Sequence, residues 1–409
     1  MNSLRLPPAY IRLLNSAGRV LERAHLVKPE LRVQELITQA QQRTGLHHWG
    51  DAAFKEGLEQ LTTALKEQAR LSQVGRIAAH FNLLDHLCVR LRLIDYRRKH
   101  AEVAEQQVRN PLFILGLPRS GTTILYELIA QDPQFRSPAT WEVARPTPPP
   151  RQESYQTDRR IRSVDRLLGL MEKLSPGFRA IHAIGATLPQ ECVYLMASAF
   201  VSEQFGYMYD IPEYRAWVLR QDMSATYRWH AHFLQHLQVG LARDYWVLKS
   251  PAHLGALGYL FAEYPDARVV WTHRRPLDAI TSFSSLTYAL RSGFSSSIDP
   301  IATGKQEMQH FAAVVQRGMA DRQGLASSQF FDASFNAICT DPLSVIRAIY
   351  RHFDLELSTD ADRRMRDYLQ RRPRDLYGEH HYSPATFGLN SAQEALGYSD
   401  YLARYSDWL

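Results

Sequence analysis

From the N-terminus to about residue 108, apolar residues recur at helical steps. Leu58, Leu61 and Leu65, then Ile77, Phe81, Leu84, Leu87 and Leu91, are separated by Lys, Arg, Glu and Gln, the pattern of amphipathic helices with one face on a core. His47-His48 beside Trp49 and Asp51 reads as a break between helices. The period changes at Asn110-Pro111. Phe113-Ile114-Leu115 is a short continuous apolar run, as expected of a strand buried on both faces. The glycine-containing octet Gly116 to Thr123 follows it, then a helical segment from Ile124 to Gln131. Tyr245-Trp246-Val247-Leu248 forms a second buried strand, ending at Lys249-Ser250-Pro251. A helix from His253 to Tyr264 leads to a third strand, Arg268 to Trp271, which ends at His273-Arg274-Arg275. Pro276 and Asp278 suit the first turn of the next helix. Gln329-Phe330-Phe331 is a weaker strand before a helix from Pro342 to Phe353. Strand–helix alternation of this kind predicts right-handed crossovers and an α/β fold: a three-layer parallel sheet with an added N-terminal helical segment. The expected division is a helical region over 1–108 and an α/β domain over 109–409.

Composition narrows the function classes. With 409 residues, 45% hydrophobic and 22% charged, the chain can bury a large core and is not a disordered protein. The formal net charge of +6 suits an anionic small molecule as well as a nucleic acid. The basic residues are dispersed and no nucleic-acid module is present, so no nucleic-acid partner is expected. Cys88, Cys192 and Cys339 are far apart and odd in number. They offer neither a disulfide framework nor a zinc spacing, which fits a reducing compartment. No signal-peptide pattern opens the chain and no apolar run reaches about 18 residues, so a soluble, cytoplasmic protein is expected. His25, His47, His48, His80, His86 and His100 read as surface or packing residues.

The chemistry is concentrated in Gly116-Leu117-Pro118-Arg119-Ser120-Gly121-Thr122-Thr123. Glycine, four residues, glycine and then hydroxyls, set between a strand and a helix, is the outline of a P-loop nucleotide-binding site. Its backbone N–H groups and the helix N-terminus form an anion cradle. A nucleoside-triphosphate loop places lysine after the second glycine, but this chain has Thr122 there and carries its cation earlier, as Arg119. The lysine-and-magnesium apparatus of phosphoryl transfer is therefore incomplete. The three best strands end at Gly116, Lys249 and Arg274, and parallel sheets bind ligands outside their carboxyl ends. Three cations would converge on one crevice and favour a multiply charged nucleotide.

The octet resembles the 5′-phosphosulfate loop of sulfotransferases that use 3′-phosphoadenosine 5′-phosphosulfate (PAPS), in the Pro-Arg-Ser-Gly-Thr-Thr variant of tyrosylprotein and many bacterial members. The family's second signature, an arginine after a strand with a serine eight residues on, is matched by Arg274 and Ser282; Arg275 is a rival for the arginine. The resemblance covers roughly residues 110–400. It implies PAPS as sulfuryl donor, no metal, a 5′-phosphosulfate held by Arg119, Ser120, Gly121, Thr122 and Thr123, and a 3′-phosphate held by Arg274 and Ser282. It also implies Lys249 at the sulfuryl oxygens and a proton-accepting base.

For that base Glu142 leads, because tyrosylprotein sulfotransferases carry a glutamate at a similar position. His253 follows Lys249 by four residues where cytosolic relatives have a gap of two, and Glu191 is a third candidate. Tyr194, Phe200, Phe205, Tyr207, Tyr209, Tyr214 and Trp217 crowd one stretch. They suit an apolar pocket for a small-molecule or lipid-like acceptor, or equally core packing or a homodimer contact. Arg374 and Gly378, ahead of Glu379-His380-His381-Tyr382, are loose counterparts of a late family loop. The alternatives are a magnesium-dependent P-loop nucleotide kinase and a catalytically silent nucleotide-binding protein.

Overall fold

A computed structural model describes residues 31–174, 185–241, 243–371 and 383–409. Arg374, Gly378 and the segment through Tyr382 lie outside the described residues, as does His25. Five strands form one parallel sheet: β1 (Leu112–Gly116), β2 (Phe135–Arg136), β3 (Tyr245–Lys249), β4 (Arg268–His273) and β5 (Phe330–Ser334), in the order β2-β3-β1-β4-β5. The two-residue edge strand β2 is too short to leave a periodic signal and is not foreseen in the sequence. Alternate strand residues feed two different cores. Phe113, Leu115, Trp246, Leu248, Val269 and Trp271 face one; Leu112, Ile114, Val247 and Val270 face the other. Helices cover both sides, so β1 is buried throughout and β3 and β4 are buried beyond their first residue, and these three read as apolar runs.

In the N-terminal segment, α1 (Val33–Thr44) and α2 (Phe54–Glu67) are separated where His47-His48 predicts a break, and α3 (Gln73–Lys99) follows. Leu58, Leu61, Leu65, Leu84, Leu87 and Leu91 are buried together, whereas Ile77 and Phe81 are exposed. At that end of α3 the buried stripe runs through Ala79 and Leu83 instead. The same core takes in Ala197, Phe200, Phe205, Tyr209 and Tyr214, so these helices share their core with later chain. Most of the aromatic stretch is thereby core packing. Gly75 shows how tightly the two parts meet, since a Cβ there would lie 1.8 Å from the Phe294 carbonyl oxygen.

The sheet order places the carboxyl ends of β3, β1 and β4 side by side. The chain leaves β1 toward β2 at one edge and leaves β4 toward β5 at the other. The crevice between β1 and β4 is thus a topological switch point, where open parallel sheets bind ligands.

Candidate active site

The octet begins on the last residue of β1 and ends in α4 (Thr122–Ile129). Its winding needs left-handed backbone at Arg119 (φ +64) and Gly121 (φ +91), and φ +144 at Gly116. A Cβ on Gly116 would also sit 2.3 Å from the Thr272 carbonyl oxygen on β4. Gly116→Ala is therefore expected to cost more than about 2 kcal/mol, combining strained backbone with overlap, readable as a lower Tm.

Each side chain of the octet can be followed. Ser120 is fully buried; its Oγ donates to Leu117 O at 2.5 Å and shares a hydrogen bond with Thr272 Oγ1 at 2.6 Å. The hydroxyl therefore props the loop from beneath, which leaves only its N–H for an anion. Thr122 is buried and Thr123 half-buried at the start of α4. Arg119 Nε donates to Ser282 Oγ at 3.2 Å, and Ser282 lies in α8, the helix Pro276–Phe294. Arg274 Nη1 donates to the Arg119 carbonyl at 2.7 Å, while its guanidinium lies 4.1 Å above the Phe335 ring. Arg119, Arg274 and Ser282, distant in sequence, thus meet at the loop. Arg275 turns the other way: it is exposed and paired with Glu394 at 3.0 Å.

The strand that presents Arg274 is anchored from its far side. His273 is buried, stacked on Tyr405 at 4.1 Å, and its Nε2 lies 2.8 Å from Asp332 Oδ1. Arg322 makes two 2.7 Å bonds to the same carboxylate. Burial alone would raise the Asp332 pKa, but the hydrogen bonds from Arg322 and His273 hold it at about 2. A depressed folded value means that this stability is present above pH 3.8 and is lost as pH falls toward 2. Melting curves of Asp332→Asn should accordingly fall less steeply than wild type across that window.

On the other flank Lys249, the last residue of β3, is buried. Its Nζ lies 2.5 Å from Glu191 Oε1 and 5.9 Å from the Tyr126 ring centroid. The Glu191 side chain keeps 15% exposure and stands just ahead of α6 (Cys192–Met196). The segment before it is fastened to the one after β2, with Thr140 N donating to Leu188 O and Gln190 N to Pro138 O, and to α4, with the Tyr126 hydroxyl donating to Gln190 O.

Glu142, the leading candidate for the base, has a different environment. It is fully buried in the short helix α5 (Thr140–Ala144), which precedes α6 in the chain. One carboxylate oxygen meets Arg136 Nη2 at 2.5 Å; the other accepts from Ala139 N at 2.7 Å and Tyr155 Oη at 3.1 Å. With its acceptor sites engaged away from solvent, it acts as an anchor for the 138–142 segment. His253 is likewise buried. Its Nδ1 lies 2.8 Å from the Tyr227 hydroxyl, and burial, helped by His230, keeps its pKa well below the ordinary value. It does not begin a regular α-helix, since Pro251–Ala256 is a 3-10 turn.

α6 contributes Val193 and Met196 to a cleft also lined by Tyr207, Met223, Tyr227, Phe311 and Val314, with Glu203, His253, His310 and Arg317 among its polar groups. Of the aromatic stretch, Tyr207 alone is part of this lining. Burial would raise the Glu203 carboxyl, but His310, 3.2 Å away, and Arg215, at 2.9 Å, lower it to about 2. Among the described residues, no helix is long and apolar enough to cross a membrane.

The model of the Sulfotransferase family matches residues 111–360. Among solved structures, the chain is similar to sulfotransferase STF1 from Mycobacterium tuberculosis H37Rv. The two are 30% identical, over 91% of this chain and 100% of that one, with a TM-score of 0.82. It is also similar to sulfotransferase STF9 from Mycobacterium avium at 27% identity, over 92% of this chain and 97% of the other, with a TM-score of 0.83. No curated protein matches it.

Proposed function

The chain belongs to the sulfotransferase family, and we propose that it transfers the sulfuryl group of PAPS to a hydroxyl or amine of a small, largely apolar or lipid-like acceptor. The observation that carries this reading is the meeting of the Arg119–Thr123 loop with Arg274 and Ser282, with Lys249 one strand away. In this reading the loop N–H groups and Arg119 hold the 5′-phosphosulfate, and Arg274 and Ser282 hold the 3′-phosphate. Charge-assisted hydrogen bonds of this kind are the strong ones. The sulfuryl group carries less negative charge than a terminal phosphate, so arginine and lysine stabilise the transition state and the transfer itself needs no metal.

The base is Glu191 in this reading. Glu191 is partly open and already touches Lys249, whereas Glu142 and His253 are buried. When the donor is bound, Lys249 turns from Glu191 to the oxygen bridging sulfur and the 5′-phosphate. The freed carboxylate takes the acceptor proton as the acceptor oxygen or nitrogen attacks sulfur. The sulfur–oxygen bond to the phosphate breaks, and adenosine 3′,5′-bisphosphate leaves with the electron pair. The apolar cleft supports an acceptor with little charge near its reacting group.

Calorimetric titration with adenosine 3′,5′-bisphosphate in magnesium-free buffer tests the donor class, with Mg-ATP run in parallel. Micromolar binding of the bisphosphate is expected. Binding of Mg-ATP alone would overturn this reading in favour of a nucleotide kinase. Bisphosphate binding without sulfuryl transfer from PAPS to any of a panel of phenols, sterols and fatty alcohols would favour a silent binder.

A further inference from the structure

Behind the Lys249–Glu191 pair lies a cluster that the proposed chemistry does not use. Cys192 opens α6, His230 sits within α7 (Ser224–Gln238), and His253 is in the turn after β3. All three are buried, at 0%, 0% and 1% exposure. Each offers a ligand atom, and these atoms lie within 4.8 Å of one another.

The hydrogen bonding around the two imidazoles is the decisive feature. His253 Nδ1 meets the Tyr227 hydroxyl at 2.8 Å, and His230 Nδ1 meets the Tyr264 hydroxyl at 2.8 Å. Both Nε2 atoms are buried and have no hydrogen-bond partner. A buried polar atom left without a partner costs about 1–3 kcal/mol, and here two of them belong to rings that also neighbour a thiol. The thiol has one proton and can serve only one acceptor. A cation serves all three groups at once. With each Nδ1–H donating to its tyrosine oxygen, Nε2 presents its lone pair in a fixed direction, the arrangement usual for metal-bound histidine.

We infer that Cys192, His230 and His253 form a buried site for one soft or borderline-soft cation, Zn²⁺ or Cu⁺. One thiolate and two imidazoles select this class and disfavour magnesium or calcium, which take oxygen ligands. Three protein ligands complete a trigonal Cu⁺ site, whose charge the thiolate cancels, or leave one position for water on Zn²⁺. Binding displaces the thiol proton: Cys192–SH and the cation give the metal thiolate and H⁺. The cation must drive this proton off, so binding strengthens as pH rises. Cys192 directly follows Glu191, and His253 follows Lys249 by four residues. The bound cation therefore staples together the two segments that carry the pair, with α7 as the third attachment. The site stands independently of the sulfuryl-transfer reading, since it rests on the cluster alone.

Metal analysis of the full chain, purified without chelator, tests the inference. About one equivalent of zinc or copper per chain is expected in wild type, and its identity separates the two cations. In Cys192→Ser it should fall below about a tenth of an equivalent. Because that variant could fail to fold, the wild-type chain is also unfolded with chelator and refolded with Co²⁺. An intense thiolate-to-cobalt charge-transfer band with strong tetrahedral d–d absorption is expected, together with a Tm above that of protein refolded without metal. A wild-type protein that is isolated metal-free and gives no cobalt–thiolate band would overturn the site. A buried water donating to both Nε2 atoms would then fill the cluster.

Discussion

Glu191→Gln is expected to lower kcat for sulfuryl transfer by about 10²–10⁴-fold, the usual range for losing a general base, while adenosine 3′,5′-bisphosphate binds nearly as before. The amide preserves shape and can still accept from Lys249 Nζ, now 2.5 Å from the carboxylate, but it cannot take the acceptor proton. Lys249→Ala removes the cation that meets charge developing on the leaving oxygen, and about 10²–10³-fold is expected there. The contrast with Glu142 makes the assignment testable. Glu142 is fully buried against Arg136, which also donates to the carbonyls of Leu237 and Leu241. Removing one partner of a buried ion pair strands the other and costs about 3–5 kcal/mol. Glu142→Gln should thus appear mainly in denaturant melts, with residual activity per folded molecule well above that of Glu191→Gln. The reverse ranking, a stable and inactive Glu142→Gln beside an active Glu191→Gln, would return the base to Glu142.

Arg274→Ala should weaken adenosine 3′,5′-bisphosphate by about 10²-fold or more, the loss of two charge-assisted hydrogen bonds at roughly 1.5–3 kcal/mol each. A second contribution acts through the loop. Arg274 donates to the carbonyl of Arg119, whose backbone is left-handed at φ +64, so the guanidinium also braces the cradle. The neighbouring Arg275→Ala is the control. It removes the pair between the exposed Arg275 and the buried Glu394, on the side away from the loop, so affinity should stay within about 2-fold while the uncovered carboxylate lowers Tm. Equal losses in the two variants would show that general positive charge, not a defined phosphate contact, governs binding.

These expectations mark where local pattern was informative. The octet between a buried strand and a helix is a local object: Gly116 and Gly121 supply backbone that other residues resist, so its outline is legible residue by residue. The same holds for β1, β3 and β4, whose unbroken apolar runs follow from burial on both faces. It holds in part for Arg274: a residue just past a parallel strand lies at the carboxyl edge of the sheet, although only the structure shows that Arg274 meets the loop while Arg275 turns to Glu394. Side-chain direction is a different matter. Ser120 belongs to the loop motif, yet its hydroxyl is spent on Leu117 and Thr272. Ile77 and Phe81 keep helical spacing with Leu84, yet face solvent because neighbouring helices cover an adjacent stripe of α3.

What the amino-acid sequence by itself determined was the α/β class, the glycine-containing octet between strand and helix and the cations at the strand ends, all written in short-range periodicity and spacing. The tertiary structure alone decided which carboxylate stays open, since Glu142 and Glu191 differ only in what folds over them. It also decided that Cys192, His230 and His253 share one buried point, a cluster with no motif spacing because its members come from two helices and a turn. Contacts between segments far apart in the chain leave no local pattern, and they come into being only when the core closes.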